Sequence, residues 1–148
     1  MRKQLSVVLI GVVLIGGGLL IAVRTASGHH AFAAEFDKDK PVVLTGTVFK
    51  MEWINPHPWI HIDVKDKDGK TVRWMIEASA PNNLLRRGFT RDSLPPGSVI
   101  TVQGYQAIDG ANRANGTALT YPDGRHLFIG SQGTGAPSSP FENETLKK

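Results

Sequence analysis

The sequence predicts an all-β domain with one short helix, a small OB-like barrel of five to six strands over residues 41–130. Three observations lead there. Short β-rich runs recur from Pro41 to Ile129, separated by Asn-Pro, Asp-Gly, Pro-Pro-Gly and Pro-Asp-Gly turn signals. One hairpin has a wet and a dry face that match across both strands. The elements run as three strands, a helix and two or three more strands, with a glycine inside the first. A β-sandwich and an SH3-like barrel are the alternatives.

The first strand, VVLTGTVFKMEWI, alternates imperfectly and holds Gly46 in its interior, where a glycine marks a bend or bulge that lets one strand serve two sheets. In the hairpin, Trp59, His61, Asp63 and Lys65 alternate with Ile60, Ile62 and Val64, and Thr71, Arg73, Met75 and Glu77 alternate with Val72, Trp74 and Ile76. A two-residue turn at Asp68-Gly69 sets Val64 opposite Arg73 and mixes the faces. A three-residue loop, Lys67-Asp68-Gly69 with Gly69 left-handed, pairs Val64 with Val72, Ile62 with Trp74 and Ile60 with Ile76, and aligns Asp63 with Arg73 outside. Next, Pro81 suits a first helical turn, Leu84 and Leu85 are core candidates and Gly88 suits the stop. VITVQGYQA, NGTALTYPDG and RHLFIG complete the strands. An OB barrel carries its helix between the third and fourth strands and needs a bent first strand.

Residues 1–28 form an export signal: Arg2 and Lys3, an uncharged stretch from Leu5 to Val23, then Arg24 and the small residues Ala26, Ser27 and Gly28. As a helix that stretch spans about 28 Å, so a retained membrane anchor is physically possible. Gly16, Gly17 and Gly18 favour cleavage, with Ala26 and Gly28 placed for a cut before His29. In either case the domain is translocated, to the periplasm or outside a bacterial cell. Residues 29–40 read as an arm, with Phe32 and Phe36 one helical turn apart, and residues 131–148, rich in Gly, Ser and Pro, as a disordered tail.

The 148 residues suffice for one domain with a core. The absence of cysteine excludes disulfides, thiol nucleophiles and thiolate metal sites. The formal charge of +4 is misleading as a sign of nucleic-acid binding. The first 28 residues hold three bases and no acid, leaving 14 bases against 13 acids in the rest. So balanced a domain lacks the positive surface that a phosphate backbone requires.

HHAFAAEFD, WINPHPWIHIDV, APNNLLRRGFTRDSLPPGSVITVQGY, and DGANRAN followed by PDGR occur in this order. On these motifs, residues 29–129 resemble a family of small exported bacterial proteins known as a domain of unknown function (DUF6152-like). The resemblance implies a compact exported β domain and transfers no activity and no catalytic residue.

Four histidines are metal candidates. If the chain is cut before His29, the free α-amine and imidazole of that residue form a chelate suited to Cu(II), beside His30. The plainer reading is a polar start after the signal. His57 and His61 flank Trp59, but an i, i+4 pair on a strand lies about 13 Å apart, so one metal needs the Asn55–Pro58 turn to fold back or the arm to contribute. A hydrogen-bonding loop role for His57 and a cross-strand role for His61 stand against it. Trp59, Asp63, Arg73 and Glu77 form a candidate ligand face on the surface that OB barrels use for binding, or simply an amphipathic sheet.

Asp66–Gly69 imitates the start of a calcium loop, but the hairpin pattern continues through the position of the closing acid. GANRAN, residues 110–115, reads as a polar loop. Nothing assembles a nucleophile, base and orienting acid. The expectation is therefore a non-catalytic exported domain that binds a small ligand, a metal or an envelope partner, with the membrane as a further partner if the signal is kept. The alternative is a copper-dependent redox protein using the His29 chelate.

Overall fold

A computed structural model describes residues 31–131 and residue 135. The export segment, His29, His30 and nearly all of the expected tail lie outside the described residues. Among the described residues no helix is long and apolar enough to cross a membrane.

The elements in order are α1 (Ala31–Glu35), β1 (Phe36–Glu52), β2 (Trp59–Lys65), β3 (Thr71–Glu77), α2 (Pro81–Arg86), β4 (Val99–Ala107), β5 (Arg113–Thr120) and β6 (His126–Phe128). They form one sheet in the order β3-β2-β1-β4-β5-β6, and a parallel pairing of β3 with the start of β5 closes it into a ring. The other pairings are antiparallel. A single closed sheet stands in place of the two facing sheets that a sandwich needs.

β1 makes this closure possible because it borders two strands. From Pro41 to Thr47 it pairs with β4, and from Gly46 to Glu52 with β2, with a register shift between Val48 and Lys50. Gly46 lies in the overlap. A Cβ there would stand 2.6 Å from the carbonyl oxygen of Asp63, so the strand turns where only glycine fits. The start of β1 lies within the stretch expected as an arm, since Phe36 already pairs with Ala107. Only α1 forms the helical turn that the Phe32–Phe36 spacing suggests.

The β2–β3 hairpin adopts the predicted register, with Val64 opposite Val72, Ile62 opposite Trp74 and Asp63 opposite Arg73. Asp66 N–H donates to the carbonyl of Lys70 at 2.9 Å, which leaves a three-residue loop closed by Gly69 at φ 78°. Asn55–Pro56, at the preceding turn, is a cis peptide. α2 starts at Pro81 and ends before Gly88, also at positive φ. Its Leu84 is fully buried, but Leu85 is half exposed, contrary to the expectation that both enter the core. A six-residue helix presents one narrow apolar stripe, and successive residues lie about 100° apart on it.

The ring encloses Val48, Ile60, Ile62, Ile76, Ile100, Val102 and Leu119, with Leu84, Phe89 and Leu94 packed among them. Trp74 packs against this core only partly buried. A second cluster joins Phe32 and Phe36 to Tyr105 and Ala107, with Trp59 packed against it. The Phe32 ring meets Tyr105 edge-on at 5.7 Å and Phe36 at 5.9 Å. These aromatic contacts fasten α1 to the sheet.

Candidate functional site

The sequence-level ligand face divides into two environments. At one end exposed Arg73 and half-buried Asp63 form a two-pronged pair, Nε to Oδ1 at 2.9 Å and Nη2 to Oδ2 at 3.0 Å. The guanidinium also lies 3.4 Å from the centre of the Phe49 ring. At the other end the expected wet face is dry. Trp59 packs against the α1 cluster, and Glu77 and His61 are buried, at 8% and 7% exposure. The arm covers Trp59, and β5 lies beside Glu77, so strand alternation alone does not set which side chains meet water there.

Glu77 is the centre of the dry end. Its Oε1 accepts a hydrogen bond from Nδ1 of His57, and its Oε2 accepts one from Nδ2 of buried Asn115 at 3.1 Å. A carboxylate can only accept, so Nδ1 of His57 carries the proton and Nε2 keeps its lone pair in the neutral ring. The ring is 29% exposed at its side chain. This carboxylate–imidazole order is the one that fixes the tautomer of metal-ligating histidines. Asn115 comes from β5, through the parallel pairing of Glu77 with Asn115.

Sequence reasoning ended the polar loop and began the fifth strand at Asn115, whereas β5 starts two residues earlier, at Arg113. Arg113 donates from Nη1 to Glu35 of α1 at 2.5 Å and from Nη2 to Asp109 at 3.2 Å. Arg113 is thus occupied by two carboxylates and ties the arm to β5.

His61 has a different setting. It lies between Lys50 of β1 and Met75 of β3, with Nε2 3.4 Å from Oε2 of Glu52 and no hydrogen bond made by that nitrogen. The Lys50 ammonium, with a smaller contribution from His61, holds the Glu52 carboxyl below its usual range. Among the described residues no three histidine or carboxylate side chains gather as a metal set. His57 and His61 are therefore not brought together with a third ligand from the sheet.

The Arg73 guanidinium holds the Asp63 carboxyl below its ordinary value. The sign follows from linkage: this pair's contribution to stability is complete above the ordinary aspartate range and is lost as pH falls through the lowered folded value. Asp63→Asn should accordingly flatten the acid limb of stability, read from urea midpoints between about pH 5 and pH 2. An unchanged acid limb would mean that the pair contributes nothing.

A cavity of about 370 Å³ opens on another part of the surface, beside the end of α2 and the β5–β6 turn, with Arg87, Phe89, Tyr121, Arg125, His126 and Leu127 in its lining. Sequence reasoning missed it. Arg87 and His126 lie 39 residues apart in the sequence and come together only through the packing of β6.

A family model described as a family of unknown function, DUF6152, matches residues 18–117, from within the apolar stretch to β5. No curated protein and no solved structure matches the chain.

Proposed function

From the premise that the chain belongs to the family of unknown function DUF6152, we propose an exported, non-catalytic metal-binding domain that takes one Cu(II) at its mature N-terminus. The ring order, the helix between β3 and β4 and the bent β1 support its reading as an OB-like barrel. Arg2-Lys3, the apolar run and Ala26-Ser27-Gly28 support export to the periplasm with loss of residues 1–28.

The observation that carries the metal reading is the Glu77–His57 pair. Glu77 accepts a hydrogen bond from the protonated Nδ1 of His57, which leaves Nε2 as the donor atom to a metal. The arm provides the remaining ligands. His30 directly precedes α1, whose Phe32 is seated in the cluster against which Trp59, two residues beyond His57, also packs. In this reading His29 gives its amine and imidazole, and His57 completes the set with His30. His61, turned to Glu52, is left out of it. Nitrogen donors of this kind suit Cu(II).

The test compares protein beginning at His29 with protein in which a methionine precedes it. Calorimetry with Cu(II) should give one site in the first and a greatly weakened one in the second, because the extra residue removes the amine from the chelate. His29→Ala should abolish binding, and Glu77→Gln should weaken it by about 10- to 100-fold. Equal binding by both termini would sink the chelate. Intact mass of the protein exported by its host fixes the terminus itself, and full-length protein recovered only from membranes would favour an anchored form.

A further inference from the structure

We infer that the cavity between α2 and the β5–β6 turn is a binding site for a small organic carboxylate with a flat apolar body. Its volume of about 370 Å³ lies in the range of small-molecule sites. The argument rests on how charge and apolar surface are distributed around it.

Arg87 is the main cation. Its Nη1 donates to the carbonyls of Gly130 at 3.0 Å and Phe128 at 3.4 Å, and its guanidinium lies 4.8 Å from the centre of the Phe128 ring. These neighbours are neutral. Arg87 forms no ion pair with a carboxylate among the described residues, so the contacts hold the guanidinium in place without cancelling its charge. Arg125 stands over the Tyr121 ring at 4.5 Å, with Asp123 on its Nε. Nδ1 of His126 is engaged with the Thr120 hydroxyl at 3.0 Å. No acidic residue lines the cavity.

Besides Gly88 and Ser93, the rest of the lining is apolar or aromatic. Phe89 is buried and Leu127 half-buried, and the Tyr121 hydroxyl is engaged in donating to the carbonyl of Ser93 at 3.2 Å. An inorganic anion would meet the cations but leave this surface uncovered. A neutral aromatic would cover it but leave Arg87 without a partner. A carboxylate on a flat apolar body meets both, with the fork of a guanidinium matching the two carboxylate oxygens.

Benzoate is the probe, with benzamide as its neutral counterpart and inorganic phosphate as the anion without an apolar body. Amide shifts of the full chain, recorded with a chelator present so that metal has no part, should saturate with benzoate around Gly88 and Leu127. Benzamide and phosphate should each bind at least about tenfold more weakly, as expected for loss of a charge-assisted contact or of the apolar one. Arg87→Gln should weaken benzoate about tenfold. Because Arg87 also holds two carbonyls, Arg125→Gln serves as the second variant, at an exposed side chain whose ion pair is the exposed one with Asp123, and should weaken it several-fold. Equal binding of benzoate and benzamide, preference for phosphate, shifts centred elsewhere, or unchanged affinity in both variants would each overturn the inference.

Discussion

Gly104→Ala should leave little folded protein. Gly104 lies on β4 opposite Gly116, at the register shift that follows Gln103. A Cβ at this position would stand 2.2 Å from the carbonyl oxygen of Asn115, 3.0 Å from its carbonyl carbon and 3.2 Å from Cα of Gly116. All three are backbone atoms, so no side-chain rotation relieves the overlap; β4 and β5 must separate, and with them the ring. The cost should exceed about 4 kcal/mol, in the range reserved for severe steric lesions and comparable to the whole stability of a marginal domain. Gly69→Ala is the control. It adopts φ 78° but a Cβ there meets nothing within 4 Å, so only the left-handed backbone is penalised, by about 1–2 kcal/mol. Urea unfolding followed by circular dichroism measures both, and near-equal midpoints for the two variants would refute this close approach of β4 to β5.

Phe32→Ala should have the next largest effect. Phe32 is 4% exposed and packs on Tyr105 and Phe36, so truncation removes most of the apolar surface that seats α1. Large aromatic truncations in packed clusters cost about 3–5 kcal/mol. The lower end is expected, because the ring core around Ile62 and Ile76 is a separate cluster and can stay folded when the arm lifts. A fall in urea midpoint together with greater iodide quenching of tryptophan fluorescence, from exposure of Trp59, would report this. An unchanged midpoint and unchanged quenching would mean that α1 is not docked, and the Cu(II) reading would lose the contact on which it relies.

The hairpin was legible because two independent alternations, one on each strand, agree in only one register. The bend in β1 was legible through Gly46, whose missing side chain admits the Asp63 carbonyl. The parallel pairing of β3 with β5 had no such signal. Arg113 and Ala114 stand in a polar, loop-like run, and they become strand because Met75 and Ile76 on one side and Gln106 of β4 on the other supply partners from far along the chain. The same non-local contact explains why Glu77 was placed on a wet face and why Asn115 was missed. His57 was recognised as a hydrogen-bonding loop residue, but its acceptor was not readable, since Glu77 stands 20 residues on, at the far end of the hairpin, and was assigned to the solvent face. The candidate ligands at His29 and His30 were legible only as chemistry, from the donor atoms that a terminal histidine offers.

The closure of the sheet also sets an order of events as the chain folds. The β2–β3 hairpin joins neighbours across a short loop, so it can form early and without help from distant residues. The β3–β5 seam must wait for segments such as Glu77 and Asn115, 38 residues apart, to meet. Loop-closure entropy opposes that meeting until β1 and β4 have already drawn the two halves together. The Glu77–Asn115 hydrogen bond is therefore a late contact, one that slows the opening of the finished ring more than it speeds its assembly. The hairpin places Glu77 opposite Trp59, two residues from His57, but the second carboxylate oxygen finds its partner on Asn115 only when the ring is complete, so the full hydrogen-bonded setting of that imidazole belongs to the closed sheet.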